Sequence, residues 1–259
     1  MAIDHVAIIG GGFSGALQAI NLLRHQGPRA TLIERRDVAA RGVAYSTAHP
    51  DHLLNVRANN MSALPQEPDH FERWLARRHP ALAGGFAPRL VYGDYLAELL
   101  DDARRAAPER LALIQAEAVD LRRDGDGWRI ALGDGGTIAA DAVILAPGNL
   151  PPHIPAGIAP DALPPGCFAA EPWSGDIADG LTDNDQILVI GTGLTMIDIA
   201  LLLDARGFGG RIIALSRRGL TPRAHAPVVP AALDERPVPE AIALLRHVRA
   251  RSNQVARGP

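Results

Sequence analysis

Two glycine-rich turns hold the residues whose types and spacing could do chemistry in this chain. The first, Gly10-Gly11-Gly12-Phe13-Ser14-Gly15, follows the apolar run Val6-Ala7-Ile8-Ile9; the second, Gly191-Thr192-Gly193-Leu194-Thr195-Met196, follows Ile187-Leu188-Val189-Ile190. A pyrophosphate comes close to the backbone only where no Cβ intervenes, and the helix that opens after such a turn aims unpaired N–H groups and a positive dipole end at the anion. Gly10, Gly12, Phe13, Ser14 and Gly15 are therefore expected around one nucleotide, and Gly191, Gly193, Leu194 and Thr195 around another. A pair of such sites implies two cofactors that meet to pass electrons.

The residues beyond each following strand sharpen this reading. Ala30-Thr31-Leu32-Ile33 is the second strand of the first unit, and Glu34, with Arg35 after it, stands at its carboxyl end, 19 residues past Gly15. That is the position of the acid that accepts from ribose hydroxyls. In the second unit, strand Arg211 to Leu215 ends on Ser216-Arg217-Arg218. An acid there would repel a 2′-phosphate, whereas a serine and two guanidinium forks can bind it, so NADPH is expected on this side. The competing reading of the arginine pair is a solvated surface.

The elements that would position these residues follow from periodicity. Residues 3 to 9 read as a strand and Ala16 to His25 as a helix ended by Gly27-Pro28. Arg41 to about Pro88 is irregular apart from a short helix at His70 to Arg78. A helix runs from Asp94, as N-cap, to about Ala106, and Leu111 to Gln115 returns as a strand. The turns Asp124-Gly125-Asp126-Gly127 and Gly133-Asp134-Gly135-Gly136 punctuate a three-stranded antiparallel meander, and Val143-Ile144-Leu145 reads as a fully buried strand. Residues 151–185, rich in Pro and Gly, read as a linker between 1–150 and a second unit, 186–259. That unit repeats strand, turn, helix (Leu194 to Ala205) and strand, then passes through Pro-rich coil to a short helix at 240 to 252.

Composition narrows the function classes. With 47% hydrophobic residues over 259 and a net charge of −3, the chain has material for a core and no basic field for nucleic acid. No apolar run approaches the roughly 18 residues of a membrane span, so a cytoplasmic protein acting on a small molecule is expected. Cys167 is the only cysteine, which excludes a Cys-x-x-Cys redox pair and a thiolate cluster within the chain; all 26 cationic side chains are arginine, which excludes Schiff-base chemistry on lysine. Cys167 is expected to pack as a small apolar group, and Asp198, on the first turn of its helix, to do no chemistry. His49, His52 and His70 with Asp51 and Asp69 lack the spacing of a metal site.

The chain resembles the two-dinucleotide-binding flavoproteins. Gly42-Val43-Ala44-Tyr45, Leu54-Asn55-Val56, Gly191 to Asp198, Ser216-Arg217-Arg218-Gly219-Leu220 and Pro222-Arg223-Ala224-His225 are similar to a bacterial FAD/NAD(P)-binding family that includes FAD-dependent urate hydroxylase of the HpyO type. The resemblance implies an α/β fold: a Rossmann-like FAD-binding domain with an antiparallel β-meander, then a second Rossmann-like NAD(P)H-binding unit. It implies FAD on the first turn and NADPH on the second. It sets Arg41, Tyr45 and Asn55 beside the flavin, against a reading of the same loop as surface packing. Ala146-Pro147-Gly148 stands where such proteins carry Ala-Thr-Gly, which makes Ala146 and Gly148 cofactor neighbours. His225 with Arg223 faces the nicotinamide or a substrate anion in this reading, or solvent in the plainer one; Trp173 packs at the linker. Such flavoproteins return to the FAD domain for a final strand and helix that nothing after Ser216 supplies, so the chain is expected to be part of a longer protein. The implied activity is NADPH-dependent oxidoreduction on FAD, as a single-component monooxygenase. The alternatives are a reductase or dehydrogenase without oxygen insertion and a nucleotide-binding fragment without turnover.

Overall fold

A computed structural model describes residues 2–46, 49, 52–150, 152–172, 177–224 and 240–257. It comprises two compact units, Met1–Thr221 and Pro222–Pro259. Trp173, His225 and Asp51 lie outside the described residues.

The first unit is built on a parallel sheet in the order β3-β2-β1-β7, from β1 (His5–Ile9), β2 (Arg29–Glu34), β3 (Leu111–Gln115) and β7 (Ala142–Leu145). Helix α1 (Phe13–Arg24) joins β1 to β2, and the crossover to β3 carries α2 (His70–Arg78) and α3 (Arg89–Ala106). The return to β7 passes through the antiparallel meander β4 (Ala118–Asp124), β5 (Gly127–Leu132) and β6 (Thr137–Ala140). The period of two in β1 and β2 explains how this becomes three layers. Val6, Ile8 and Leu32 face the helices and join one core with Ile20, Phe71, Tyr92 and Leu96; Ala7 and Ile33 face the other way and pack on Ile130, Leu132 and Ala140 of the meander. A strand covered on both faces reads as a continuous apolar run, which is why β1 shows no polar alternation. Fully burying a side chain such as Ile8 of β1 or Leu32 of β2 stabilises the fold by about 1.5–3 kcal/mol.

A second, two-stranded parallel sheet pairs β8 (Gln186–Ile190) with β9 (Arg211–Leu215), joined by α4 (Leu194–Ala205). The other compact unit contains α5 (Ala241–Arg257), longer than the 240 to 252 expected. Among the described residues, no helix is long and apolar enough to cross a membrane.

Several expectations need correction. Helix α3 begins at Arg89 after Pro88, so Asp94 is interior and caps nothing. Gly93 lies inside the helix, and a Cβ there would lie 2.5 Å from the carbonyl oxygen of Tyr45: the 40s loop presses directly on the helix backbone. Strand β7 is not fully buried. Among the described residues it ends the sheet on one side, and Leu145 remains 63% exposed. Helix α1 starts at Phe13, immediately after the glycines, because Gly12 is already extended as its N-cap. Cys167 does not pack; it is exposed just after a turn closed by its own N–H to Pro164 O at 3.1 Å.

Candidate nucleotide-binding site

The first turn is built by close approach. Gly10 has φ +97° and donates its N–H to Ile33 O at 2.9 Å; a Cβ on it would sit 2.1 Å from Ala146 O of the neighbouring strand end. A Cβ on Gly15 would fall 1.8 Å from Gly10 O, so α1 can seat this tightly only with glycine. Gly12 is the N-cap of α1 and offers no side-chain cap, and the first turn of the helix carries no acid. The N–H groups of Phe13 and Ser14 thus begin a helix that presents its positive end without internal neutralisation.

Glu34 meets this turn. Its Oε2 accepts from Gly11 N–H at 2.7 Å and its Oε1 from Arg36 N–H at 3.0 Å, so the carboxylate is fixed at the lip of the turn with acceptor capacity to spare. Gly11 is a site residue that motif reading passes over: a Cβ there would lie 2.7 Å from Glu34 Cβ. Its place in the middle of an unbroken Gly-Gly-Gly was the available signal. Arg35, by contrast, points to an exposed ion pair with Glu117 at 3.7 Å.

The Arg41–Tyr45 loop lies over the same turn. Ala40 N–H donates to Gly11 O at 2.6 Å, and the Cα of Gly42 is 3.3 Å from where a Cβ on Gly12 would stand. Tyr45 is held between Phe13, at 5.7 Å between ring centroids, and buried Tyr92 of α3, at 4.8 Å. Burial raises the Tyr45 phenol above its ordinary pKa, opposed by the positive charge of Arg89, so it stays a neutral donor. Arg41 pairs with Asp94 at 2.5 Å, while its Nε is buried without an acceptor among the described residues. Asn55 is exposed; Ala146, half-buried, closes on Gly10, and Gly148 is exposed with φ +76°.

The second turn has nearly the same backbone conformation as the first. Gly191 has φ +115° and donates to Leu215 O at 2.7 Å, as Gly10 does to Ile33 O. Gly193 is the N-cap of α4 at φ −82°, ψ −168°, against −70° and −163° for Gly12. The turn, Leu220 and the end of β9 together line a depression of about 230 Å³ formed by Thr192, Gly193, Ser216, Arg217, Arg218 and Leu220. Ser216 Oγ accepts from Gly219 N–H at 3.0 Å, and the Thr192 hydroxyl donates to Leu220 O, which tie the walls together. Arg217 and Arg218 are exposed and have no carboxylate partner among the described residues. Leu194 and Thr195 open α4 exposed at the rim.

A family model described as FAD-NAD(P)-binding matches residues 7–150, more than half of the chain. The chain belongs to this FAD-NAD(P)-binding family. Its members' group fits the residues present. Both turns have glycine where a Cβ would close the approach or where φ is positive, neither helix start carries a neutralising acid, and Arg41 Nε is a buried donor awaiting an acceptor. The fold is similar to that of OTEMO in complex with FAD and NADP, at 20% identity and TM-score 0.55 over 83% of this chain and 38% of that one. It is also similar to S-allyl-L-cysteine S-oxygenase from Allium sativum (19%, TM-score 0.61, 89% of this chain and 54% of that). A third is bacillithiol disulfide reductase from Staphylococcus aureus (16%, TM-score 0.57, 98% and 65%). The chain spans less than two thirds of the length of each. No curated protein sequence matches it.

Asp198 is the residue that sequence reasoning placed wrongly. It lies fifth in α4, just past the first turn, and is buried with 6% exposure. Its Oδ2 accepts from Arg89 Nη2 at 2.7 Å, and its backbone oxygen accepts from His52 Nε2 at 3.2 Å. Because a carbonyl can only accept, the proton of His52 is on Nε2. Burial pushes the His52 pKa below its ordinary value, which keeps the ring neutral in that role. No signal in the chain joined residues 52, 89 and 198. His70, for its part, is taken up by the Tyr95 hydroxyl at 2.9 Å.

Proposed function

We propose that this chain is the nucleotide-binding portion of an NADPH-dependent FAD oxidoreductase, a single-component flavin monooxygenase that hydroxylates a small molecule in the cytoplasm. The observation that carries the reading is the duplication itself: two strand–glycine–helix turns with matching dihedral angles, one ending on a glutamate and the other on Ser-Arg-Arg. In this reading residues 1–150 bind FAD, 151–185 link, and 186–259 contribute to the NADPH domain. The urate-hydroxylase kind of flavoprotein is the finer assignment that the motifs favour.

FAD, when bound, supplies a hydride acceptor and the means to react with oxygen. The protein's own residues then bind, orient and exclude water. The N–H groups of Phe13 and Ser14 hold the pyrophosphate, and Glu34 accepts from the adenosine ribose. Arg41 Nε donates to an anionic or carbonyl oxygen of the cofactor. Tyr45, pinned between Phe13 and Tyr92, keeps the loop closed on the turn and supplies a neutral hydroxyl. On the other side, Leu194 and Thr195 N–H groups receive the second pyrophosphate, and Arg217 and Arg218 neutralise the 2′-phosphate in the depression beside Gly193.

Replacing both arginines, Arg217→Ala with Arg218→Ala, is expected to weaken NADPH by about 1–3 kcal/mol while leaving NADH within twofold, since two charge-assisted contacts disappear. Equilibrium titration of the two nucleotides reads the difference; equal weakening of both would remove the assignment. Anaerobic bleaching of protein-bound flavin by NADPH tests the oxidoreductase itself. Hydrogen peroxide formed in full stoichiometry with NADPH, whatever substrate is offered, would replace the monooxygenase by a reductase.

A further inference from the structure

Helix α4 carries the second glycine turn, yet little of it is buried. Leu194, Ile197 and Leu201 are 46%, 38% and 39% exposed, and the buried residues of the helix are Leu203 and the acid Asp198. A helix this poorly covered is held less by apolar contact than by whatever partners its buried carboxylate. Those partners come from the first nucleotide unit. His52 and Arg89 flank a short antiparallel bridge, Leu53 with Pro88, reinforced by Leu54 N–H to Ala87 O at 2.9 Å and Arg89 N–H to His52 O at 2.8 Å. From this bridge Arg89 spends its fork in two directions. Nε donates to Leu53 O at 3.0 Å, and Nη2 donates to Asp198 Oδ2 at 2.7 Å. His52 grips the same residue from its backbone side.

The placement of Arg89 is costly unless the pair matters. It is the first residue of α3, where a cation opposes the helix dipole, and its side chain is only 17% exposed. Its charge also reaches Tyr45, the loop residue seated on the first turn. One guanidinium thus touches the bridge, acts on the loop over the first turn, and holds the helix that opens from the second.

We propose that His52, Arg89 and Asp198 form a positioning clamp that fixes the start of α4, and with it the second glycine turn, against the unit that carries the first. Resting on the two-nucleotide reading, the clamp sets the distance and angle at which the nicotinamide meets the flavin. A clamp of this kind acts on the rate of transfer between bound nucleotides and leaves their binding almost untouched, because a bimolecular encounter is being replaced by a held geometry.

The test uses Asp198→Asn, which keeps shape and removes charge, and Asp198→Ala, in the full chain. Hydrogen exchange in the nucleotide-free protein is expected to show α4 amides opening at least tenfold faster in Asp198→Ala, with Asp198→Asn between it and the parent and α1 amides unchanged within twofold. In the FAD-loaded protein, the limiting rate of flavin reduction at saturating NADPH is expected to fall at least fivefold, with the NADPH dissociation constant moved less than twofold. Unchanged α4 exchange, or equal acceleration in α1 and α4, overturns the clamp. A raised dissociation constant with an unchanged limiting rate overturns its positioning role. If the parent protein binds FAD and is not reduced by NADPH, the oxidoreductase reading fails, while the exchange result still decides the clamp.

Discussion

The two glycine turns share a backbone and differ in what surrounds it. Around the first, β1 lies between β2 and β7 with helices on one face and the meander on the other, and Ile8 is fully buried. Around the second, β8 has one partner strand among the described residues; Leu188, Ile190 and Leu215 are 58%, 48% and 58% exposed. The glycines record the same contrast. A Cβ on Gly10 or Gly15 meets backbone at 2.1 or 1.8 Å, whereas one on Gly191 or Gly193 meets nothing within 4 Å among the described residues, and a methionine, Met196, stands where α1 has Gly15. The first turn therefore needs glycine for its own fold. At Gly193 the described residues make no such demand.

That difference can be broken in graded steps. Gly15→Ala is expected to cost about 4 kcal/mol or more, since the clash is with backbone that cannot yield, and Gly191→Ala only the strain of its positive φ, about 1–3 kcal/mol; denaturant midpoints compare them, and equal losses would mean the second turn is as tightly packed as the first. Next, Ile8→Ala should lose about 2–5 kcal/mol and the half-exposed Leu188→Ala about 0.5 kcal/mol. Similar losses in those two unfolding curves would show that β8 is covered in solution.

A smaller effect is the sharper one for function. Gly193→Ala has space and an ordinary φ, so its stability should stay within about 0.5 kcal/mol of the parent. Its Cβ would nevertheless meet an approaching pyrophosphate, and NADPH should bind at least tenfold more weakly, about 1.4 kcal/mol. Titration showing undiminished NADPH affinity would remove the second turn from the binding site.

The mildest expectation concerns pH. His5, His52 and His70 are each held below the ordinary histidine value of 6.5, chiefly by burial. The unfolded chain therefore binds more protons than the folded one in the interval beneath 6.5, so their contribution is fully present above that pH and declines as pH falls through it. Melting temperature should drop between pH 7 and pH 5. The carboxylates of Glu67 and Glu98, lowered by arginine partners, add their loss only further down. A melting temperature flat or rising toward pH 5 would contradict the burial of these rings.

Much of the architecture was legible because it rests on local rules. Alternating or continuous apolar runs, glycine behind a strand, and paired Asp-Gly turns are short-range signals, and β3, the meander, α2 and the β8–α4–β9 unit follow them. The same rules failed where a distant backbone decided the outcome. Asp94 reads as a helix N-cap until α3 is seen to begin at Arg89, against the bridge to Leu53; Val143 to Leu145 reads as buried until it proves to be the end strand of the described sheet; Asp198 reads as a helix-start acid until Arg89 and His52 arrive from more than a hundred residues away.

By itself, the amino-acid sequence determined that this is a two-turn nucleotide-binding protein, since strand, glycine and strand-end residue are separated by spacings that one βαβ unit dictates. Only the tertiary structure decided which glycines the fold requires, how Glu34 is held at the lip of the first turn, and what grips α4. Those depend on close approaches between segments far apart in the chain, and neither propensity nor periodicity carries information about such distances.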